Sequence, residues 1–305
     1  MENVFLNGAQ LQGANLHNVL LAKSQLVECQ LECADLSFAD LQEANLMQGQ
    51  FKQAHLKGAR LQEASLYKAQ LEETTLYEAK LNGANLGDVK LSTQNQMGPL
   101  LADAQWTEVN LARVDWSQGK ILGDEQLARQ RKINGTSKTK VQRLSEYESA
   151  VRANRQLTVA LQAQGLNEYA SHFAYRAQVL QRRAFWFQML QSEAKLRQRG
   201  RALGAWLFSW FLFLLAGYGY KPGRSFLAYL LVIGTFMALY LLLDPHLSWY
   251  EAIVVSMTAF HGRGFSPSTF SPGDPLSIAS AVEALVGLII EVTFIATLTQ
   301  RFFSR

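Results

Sequence analysis

"ADLSFADLQEANLMQ", residues 34–48, is three copies of one five-residue unit, and how that unit folds decides the architecture of the N-terminal part of the chain. Leu36, Leu41 and Leu46 stand five apart, and two residues before each is an alanine: Ala34, Ala39, Ala44. The same spacing extends outward in both directions. From Leu6 to Leu91 every fifth residue is Leu except Phe51, giving 18 consecutive centres. The position two before each centre is small throughout, and the other three are mostly Asn, Gln, Glu, Lys or Asp. A helix of 3.6 residues per turn would smear this period around its surface, and a plain strand alternates with period two. A chain that turns a corner every five residues buries one large and one small side chain per unit. Its coils then stack at strand spacing, roughly 4.8 Å.

The units "ANLHN", "ADLSF", "ADLQE", "ANLMQ" and "ANLGD" resemble the pentapeptide-repeat family, whose pattern is A(D/N)LXX. The resemblance implies a right-handed quadrilateral β-helix with four pentads per coil over residues 1–123. The phase breaks at Gln96 within "STQNQMGPLL" and returns with Trp106, Leu111, Trp116 and Ile121, so a loop or short helix is expected at the break. Some family members mimic DNA, which needs a strongly acidic surface. Residues 1–123 carry 14 Asp/Glu against 9 Lys/Arg, too mild for that role, and no nucleic-acid partner is expected. A spacer or docking surface for an unidentified protein fits better. His17 and His55 stand alone among polar positions.

Residues 124–305 reverse the balance, with 11 acids against 20 bases, and hold all the long apolar runs, so anionic lipid is the expected counterpart. "MENVFLNGAQ" has neither the basic start nor the apolar core of a secretory signal, which places the N-terminal part in the cytosol. Cys29 and Cys33 read as small buried residues of a reducing compartment. No phosphate-cradling glycine loop, metal-ligand cluster or nucleophile–base pair is present in a recognisable setting. Neither an enzyme, a cofactor nor a metal is expected.

Residues 124–140 are polar and read as a linker, and residues 141–200 as a cytosolic helical hairpin. Leu144, Tyr147, Val151, Leu157 and Leu161 form the apolar stripe of its first helix, Gly165 its stop, and the second helix runs for some thirty residues. The pair resembles a single tetratricopeptide-type unit. Lys195, Arg197, Arg199 and Arg201 then cluster where the apolar region begins, a placement suited to lipid headgroups.

Residues 225–243 and 276–299 are each long enough to cross a bilayer, and the basic flanks put both chain ends on the cytoplasmic side of a bacterial-type inner membrane. Residues 201–224, with a shorter apolar run over 203–219, are expected to lie in the interface or form an elbow. Between the two crossings, "SWYEAIVVSMTAFHGRGF" (248–265) reads as a short helix with a glycine-bearing exit. This order resembles the two-helix pore-loop ion channels: outer helix, pore helix, filter and inner helix, over residues 225–305. The inner-helix stretch "VEALVGLIIEVTFIATLTQRFF", with Gly287 at its bend, carries that resemblance best. It implies a homo-oligomer, four chains around an axis, with lipids and permeant ions as partners.

Laid over the family's filter, Phe260, His261, Gly262, Arg263, Gly264 and Phe265 keep the two glycines and depart everywhere else. A ring of Arg263 would repel cations; alternatively Arg263 turns away and pairs with Glu251 or Glu283. Glu283 and Glu291 sit eight apart around Gly287, on one helix face, and ionisable groups in such a helix are expensive enough to read as functional. An acidic ring at Glu291 favours cations, so selectivity stays open between an anion path and a weakly selective one. The expectation is an oligomeric channel with a filter unlike that of potassium channels, assembled or regulated through its β-helix. A non-conducting membrane-anchored scaffold is the alternative.

Overall fold

A computed structural model of the chain describes all residues except 1–2, 93–96, 117–119, 134, 192–195, 263–273 and 304–305. The chain divides into two units, Met1–Trp206 and Leu207–Arg305.

The first unit opens with a parallel β-helix. Isolated parallel bridges join residues twenty apart, from Phe5↔Gln25 through Gln70↔Lys90, so one coil is four pentads. Each coil is tied to the next in both directions: Leu6 N–H donates to Gln25 O at 2.8 Å, and Gln25 N–H donates to Val4 O at 2.8 Å. The corners explain the period. Two residues after each centre from Leu6 to Leu86 the backbone is left-handed, from Asp88 at φ +53° to Gly83 at +70°, and the next N–H closes the turn, as from Ala9 to Leu6 O at 3.0 Å. Most corner residues are not glycine, and each such residue costs roughly 1 kcal/mol of backbone strain. Stacking offsets this: from Leu26 to Leu86 the centres are buried, together with the alanines two before them.

Where the small position is polar, the backbone satisfies it. The Cys29 thiol donates to Leu6 O at 2.8 Å and the Thr74 hydroxyl to Phe51 O at 2.8 Å. The single aromatic centre has its own compensation. Gly49 holds the small position before Phe51, and a Cβ there would lie 2.6 Å from the Phe51 ring. The extra volume of Phe51 is thus accommodated by the missing methyl of Gly49.

The phase break at Gln96 is one inserted pentad. Beyond it the bridges run Thr75↔Leu100 and Lys80↔Gln105, twenty-five apart, and Glu73 N–H donates to Met97 O at 2.9 Å. A five-residue insertion leaves the period intact, which is why the returning centres still align. Trp106, Leu111 and Trp116 point inward as expected. Ile121 is only half-buried, and Leu122 takes the buried place.

Residues 124–140, expected as a linker, are largely structured. Helix α1 (Gly123–Arg129) lies across the end of the β-helix, and a short hairpin follows, β1 (Lys132–Ile133) with β2 (Thr136–Ser137). The polar composition misled because two acids are used internally. The buried Asp124 carboxylate accepts from Leu101 N–H at 2.7 Å and Ala102 N–H at 3.3 Å. Glu125, equally buried, receives a two-pronged Arg176 guanidinium at 2.6 Å on each oxygen and Arg129 at 2.5 Å.

Helices α2 (Lys140–Ala163) and α3 (Asn167–Met189) form the expected hairpin, with Gly165 left-handed at the turn. α3 has 23 residues, shorter than the thirty read from its composition. Ala153, Leu157, Leu161, Ala170 and Phe173 of the hairpin join the β-helix core and close its C-terminal end.

α4 (Leu196–Ala216) runs through the unit boundary. In the second unit, its end is followed by a tight turn through Gly217, Tyr218 and Gly219, all at positive φ. Arg224 donates to Phe213 O at 3.0 Å and Ser225 to Leu215 O at 3.0 Å, covering carbonyls that the helix end leaves open. Three helices complete this unit: α5 (Pro222–Leu243), α6 (Trp249–Phe260) and α7 (Pro275–Phe303). Among the described residues, α5 and α7 are the helices long and apolar enough to cross a membrane.

Candidate functional site at the α5–α6–α7 junction

α6 is short because its sequence starts and stops it. Ser248 and Glu251 form a reciprocal cap, with Ser248 N–H donating to the Glu251 carboxylate at 2.9 Å and its hydroxyl at 2.5 Å. At the other end His261 leaves the helix and Gly262 turns left-handed at φ +67°, its N–H on Ala259 O at 2.9 Å. Twelve residues make about 18 Å of helix, well short of a 30 Å hydrocarbon core.

Glu283 of α7 locks the junction. It is fully buried, and it takes a hydrogen bond from the Tyr240 hydroxyl of α5 at 2.6 Å. Its other oxygen accepts from the Ser256 hydroxyl of α6, which also faces Ile233 O at 3.1 Å. One carboxylate thus joins three helices. The sequence singled out Glu283 but gave no sign of Tyr240 or Ser256, because partners twenty-seven and forty-three residues away leave no local spacing.

One turn further along α7, Gly287 meets the end of α6. A Cβ on Gly287 would lie 2.0 Å from Phe260 O, so only glycine lets the two backbones approach this closely. The bend role expected of Gly287 becomes a contact role. Phe260 itself is buried, its ring edge-on to Tyr229 at 4.8 Å and packed with Leu215, Ile233 and Ile290.

His261 is exposed, with Nδ1 2.8 Å from Met257 O and Nε2 3.5 Å from Glu291 Oε1. Glu283 and Glu291 therefore do share one face of α7, and it is turned toward α6. Ser225, Phe226, Tyr229, Phe260, His261 and Glu291 are among the residues lining a cavity of about 600 Å³ here.

Arg263, Gly264 and Phe265 lie outside the described residues. The two acids named as alternative partners for Arg263 already hold other groups: Glu251 caps α6 and Glu283 binds Tyr240 and Ser256. Of the basic cluster, Lys195 also lies outside the described residues, and Arg197, Arg199 and Arg201 are exposed on the first turns of α4. Arg199 donates to Met189 O at 3.1 Å.

In the first unit, the buried groups at the closed end of the β-helix are perturbed. Burial pushes the Asp124 carboxyl up to about 7, against the pull of the backbone N–H groups of Leu101 and Ala102. Burial, reinforced by the Asp124 charge, raises the Tyr77 hydroxyl. Among the described residues no group of His, Cys, Asp and Glu side chains could hold a metal ion.

The pentapeptide-repeat family profile matches residues 3–48 and 50–92, in eight copies. Among solved structures, the repeat protein Rfr23 from the cyanobacterium Cyanothece 51142 is 28% identical over 33% of this chain and 60% of its own, with a TM-score of 0.26. The pentapeptide repeat protein alr5209 from Nostoc PCC 7120 is 30% identical over 34% of this chain and 84% of its own, at 0.20. HetL from Nostoc sp. strain PCC 7120, a repeat protein involved in heterocyst differentiation regulation, is 35% identical over 34% and 48%, at 0.15. The chain thus spans 60% of Rfr23 and about half of HetL. No curated protein matches the chain.

Proposed function

We propose that the chain, with pentapeptide repeats in its N-terminal region, is a subunit of an oligomeric membrane ion channel whose filter is not of the potassium type. The observation that carries this reading is α6: a helix too short to span, fixed between two long apolar helices by Glu283 and pressed onto Gly287. A backbone segment that stops at membrane depth is tolerated where it lines a watery path or is covered by protein. The surroundings agree. The apolar windows of α5 and α7 are only 11% and 22% buried within the chain, so their leucines and isoleucines need lipid or further copies around them. One chain supplies one such loop, so the path forms where several copies, four by the pore-loop resemblance, meet around an axis.

The segment after α6 sets the selectivity. By the pore-loop resemblance, His261 and Arg263 fall in sequence on filter positions where a dehydrated cation would need neutral carbonyls, which favours anions or weak selection. Both chain ends lie on the cytoplasmic face of an inner membrane in this reading. The β-helix and hairpin then form a cytosolic module for assembly or gating, and Arg197, Arg199 and Arg201 meet lipid headgroups.

A second reading, a non-conducting anchored scaffold, is favoured by the His261–Glu291 contact. It gives Glu291 a packing partner and removes the need for an ion to explain that carboxylate. Flux separates the two. Purified protein in sealed liposomes is expected to release a chloride or potassium gradient, and Arg263→Ala is expected to change the ratio of the two fluxes. Liposomes that stay tight across voltage and pH would favour the scaffold.

A further inference from the structure

The cover over the last coil of the β-helix is interrupted on one side. Elsewhere along that edge, backbone groups that would bond a following coil have substitutes. Gly123 N–H donates to Pro99 O at 3.2 Å, Asp124 takes the N–H groups of Leu101 and Ala102, and Gln156 takes Asp103 N–H at 2.9 Å. Further on, Gln164 takes Leu111 N–H at 2.9 Å, and its side-chain amide donates to Val109 O. Between these clamps lies the side formed by residues 104–108. One coil earlier the matching groups are all used. Ala79 O takes Gln105 N–H at 2.9 Å, Leu81 N–H donates to Gln105 O at 3.1 Å, and Gly83 N–H donates to Thr107 O at 2.9 Å. Ala104 O, Trp106 N–H and Glu108 N–H make no hydrogen bond among the described residues.

A groove lies in front of these groups. Its volume is about 790 Å³, with Ala104, Trp106 and Glu108 on one wall and α2 on the other. The α2 wall is apolar: Val159 is 65% exposed, with Ala160 and Ala163 beside it. On the coil wall Trp106 is only 9% exposed, and its indole N–H also lacks a partner among the described residues. The two ends of the groove carry opposite charges. Arg155 adjoins Gln156, which clamps Asp103 where the open side begins, and Glu108 stands where that side ends. Both are exposed, and Arg155 spends one amine on Gln181 Oε1 at 3.2 Å. An open row of N–H and C=O groups is a template for one more strand.

We infer that this groove binds an extended peptide of a partner protein, added as a parallel strand beside residues 104–108. A carbonyl and an N–H that straddle Gln105, with a second N–H two residues on, are what each coil offers the next. A peptide residue opposite Gln105 donates to Ala104 O and accepts from Trp106 N–H, and the residue two further on accepts from Glu108 N–H. Two N–H groups so placed are about 6.6 Å apart, the spacing of alternate carbonyls in an extended chain. The main chain thus supplies affinity, and the walls of the groove select side chains. A strand running parallel to the edge has its amino end at Arg155 and its carboxyl end at Glu108. The peptide is therefore acidic first, apolar where it meets Val159, and basic last. The inference goes beyond conduction and does not depend on it.

The test selects a phage-displayed library of random octapeptides on the purified full-length chain. Enriched peptides are expected to share an acid, an apolar middle and a base in that order. They are also expected to slow amide exchange over residues 104–110, read by hydrogen-exchange mass spectrometry. Ala163→Trp, at an exposed position of α2, fills the groove and is expected to weaken them at least about tenfold. Glu108→Lys is expected to weaken them about twofold to fivefold and, in a fresh selection, to replace the terminal base by an acid. Lysine already occupies the same left-handed corner at Lys23 and Lys68, so the fold accommodates this change. The proposal is overturned by a selection that returns no peptide, by peptides that leave residues 104–110 exchanging freely, or by equal binding to Ala163→Trp. Protection of the same residues that rises with protein concentration and needs no peptide would seat a second copy in the groove, and overturns it too.

Discussion

The β-helix and the α5–α6–α7 junction solve burial in opposite senses. In the β-helix leucines and alanines fill the axis and Asn, Gln, Glu and Lys cover the outside. At the junction a carboxylate sits at the centre, and Leu227, Leu231, Leu285, Leu288 and Ile289 are left outside. An apolar side chain gains from burial only if its alternative is water, so the second arrangement is the one expected of helices long and apolar enough to cross a membrane. The difference extends to specificity. A repeated coil holds its register through many equal contacts, whereas the junction depends on single residues, Glu283 and Gly287.

Substitutions can break or sharpen this contrast. The largest effect is expected from Leu56→Ala in the middle of the β-helix, a loss of about 3–5 kcal/mol from the cavity and the lost transfer energy. Leu285→Ala on the exposed face of α7 is expected to change stability in detergent by less than about 0.5 kcal/mol. Denaturation of both variants, followed by circular dichroism, checks the pair; equal losses would mean Leu285 is packed against protein.

Next is Glu283→Ala, which strands the Tyr240 and Ser256 hydroxyls in a dry site, at about 2–4 kcal/mol of the helical unit's stability. Glu283→Gln keeps one acceptor and is expected to recover most of it, read by the melting of the helical signal in detergent.

Glycine contacts follow, at about 1–3 kcal/mol each. Gly49→Ala drives a methyl into the Phe51 ring and is expected to be rescued by Phe51→Leu in a double-mutant cycle. Gly287→Ala meets the backbone oxygen of Phe260, which cannot rotate away, so no single side-chain change is expected to rescue it.

The gentlest probe is pH. Asp124 titrates near 7 when folded and near 3.8 when unfolded, so between those values the folded form keeps a proton that the unfolded chain has released. Stability of the first unit is therefore expected to fall as pH rises from about 4 to about 7, by at most about 1.4 kcal/mol per unit. Asp124→Asn should flatten that slope; an unchanged slope would assign it elsewhere.

The repeat was legible because each coil restates the same rule, and even the inserted pentad kept the phase. The covering of its C-terminal end was not legible. Asp124, Gln156 and Gln164 look like surface residues, and only the location of unpaired edge amides gives them work, while Glu125 is held by Arg176, fifty-one residues away. In the helical unit, the order of long, short and long helices was readable from apolar lengths, and Glu283 and Glu291 from the cost of a charge there. Tyr240 and Ser256 were hidden in apolar runs, since hydroxyls on such helices ordinarily bond their own backbone, as Thr235 and Thr293 do.

Conduction is tested most directly by the reversal potential of purified protein in a planar bilayer under a potassium chloride gradient. The expected result is a current whose reversal potential is displaced from the potassium equilibrium value toward chloride or toward zero. A reversal at the potassium potential, or a bilayer that stays silent at every voltage and pH, would contradict it.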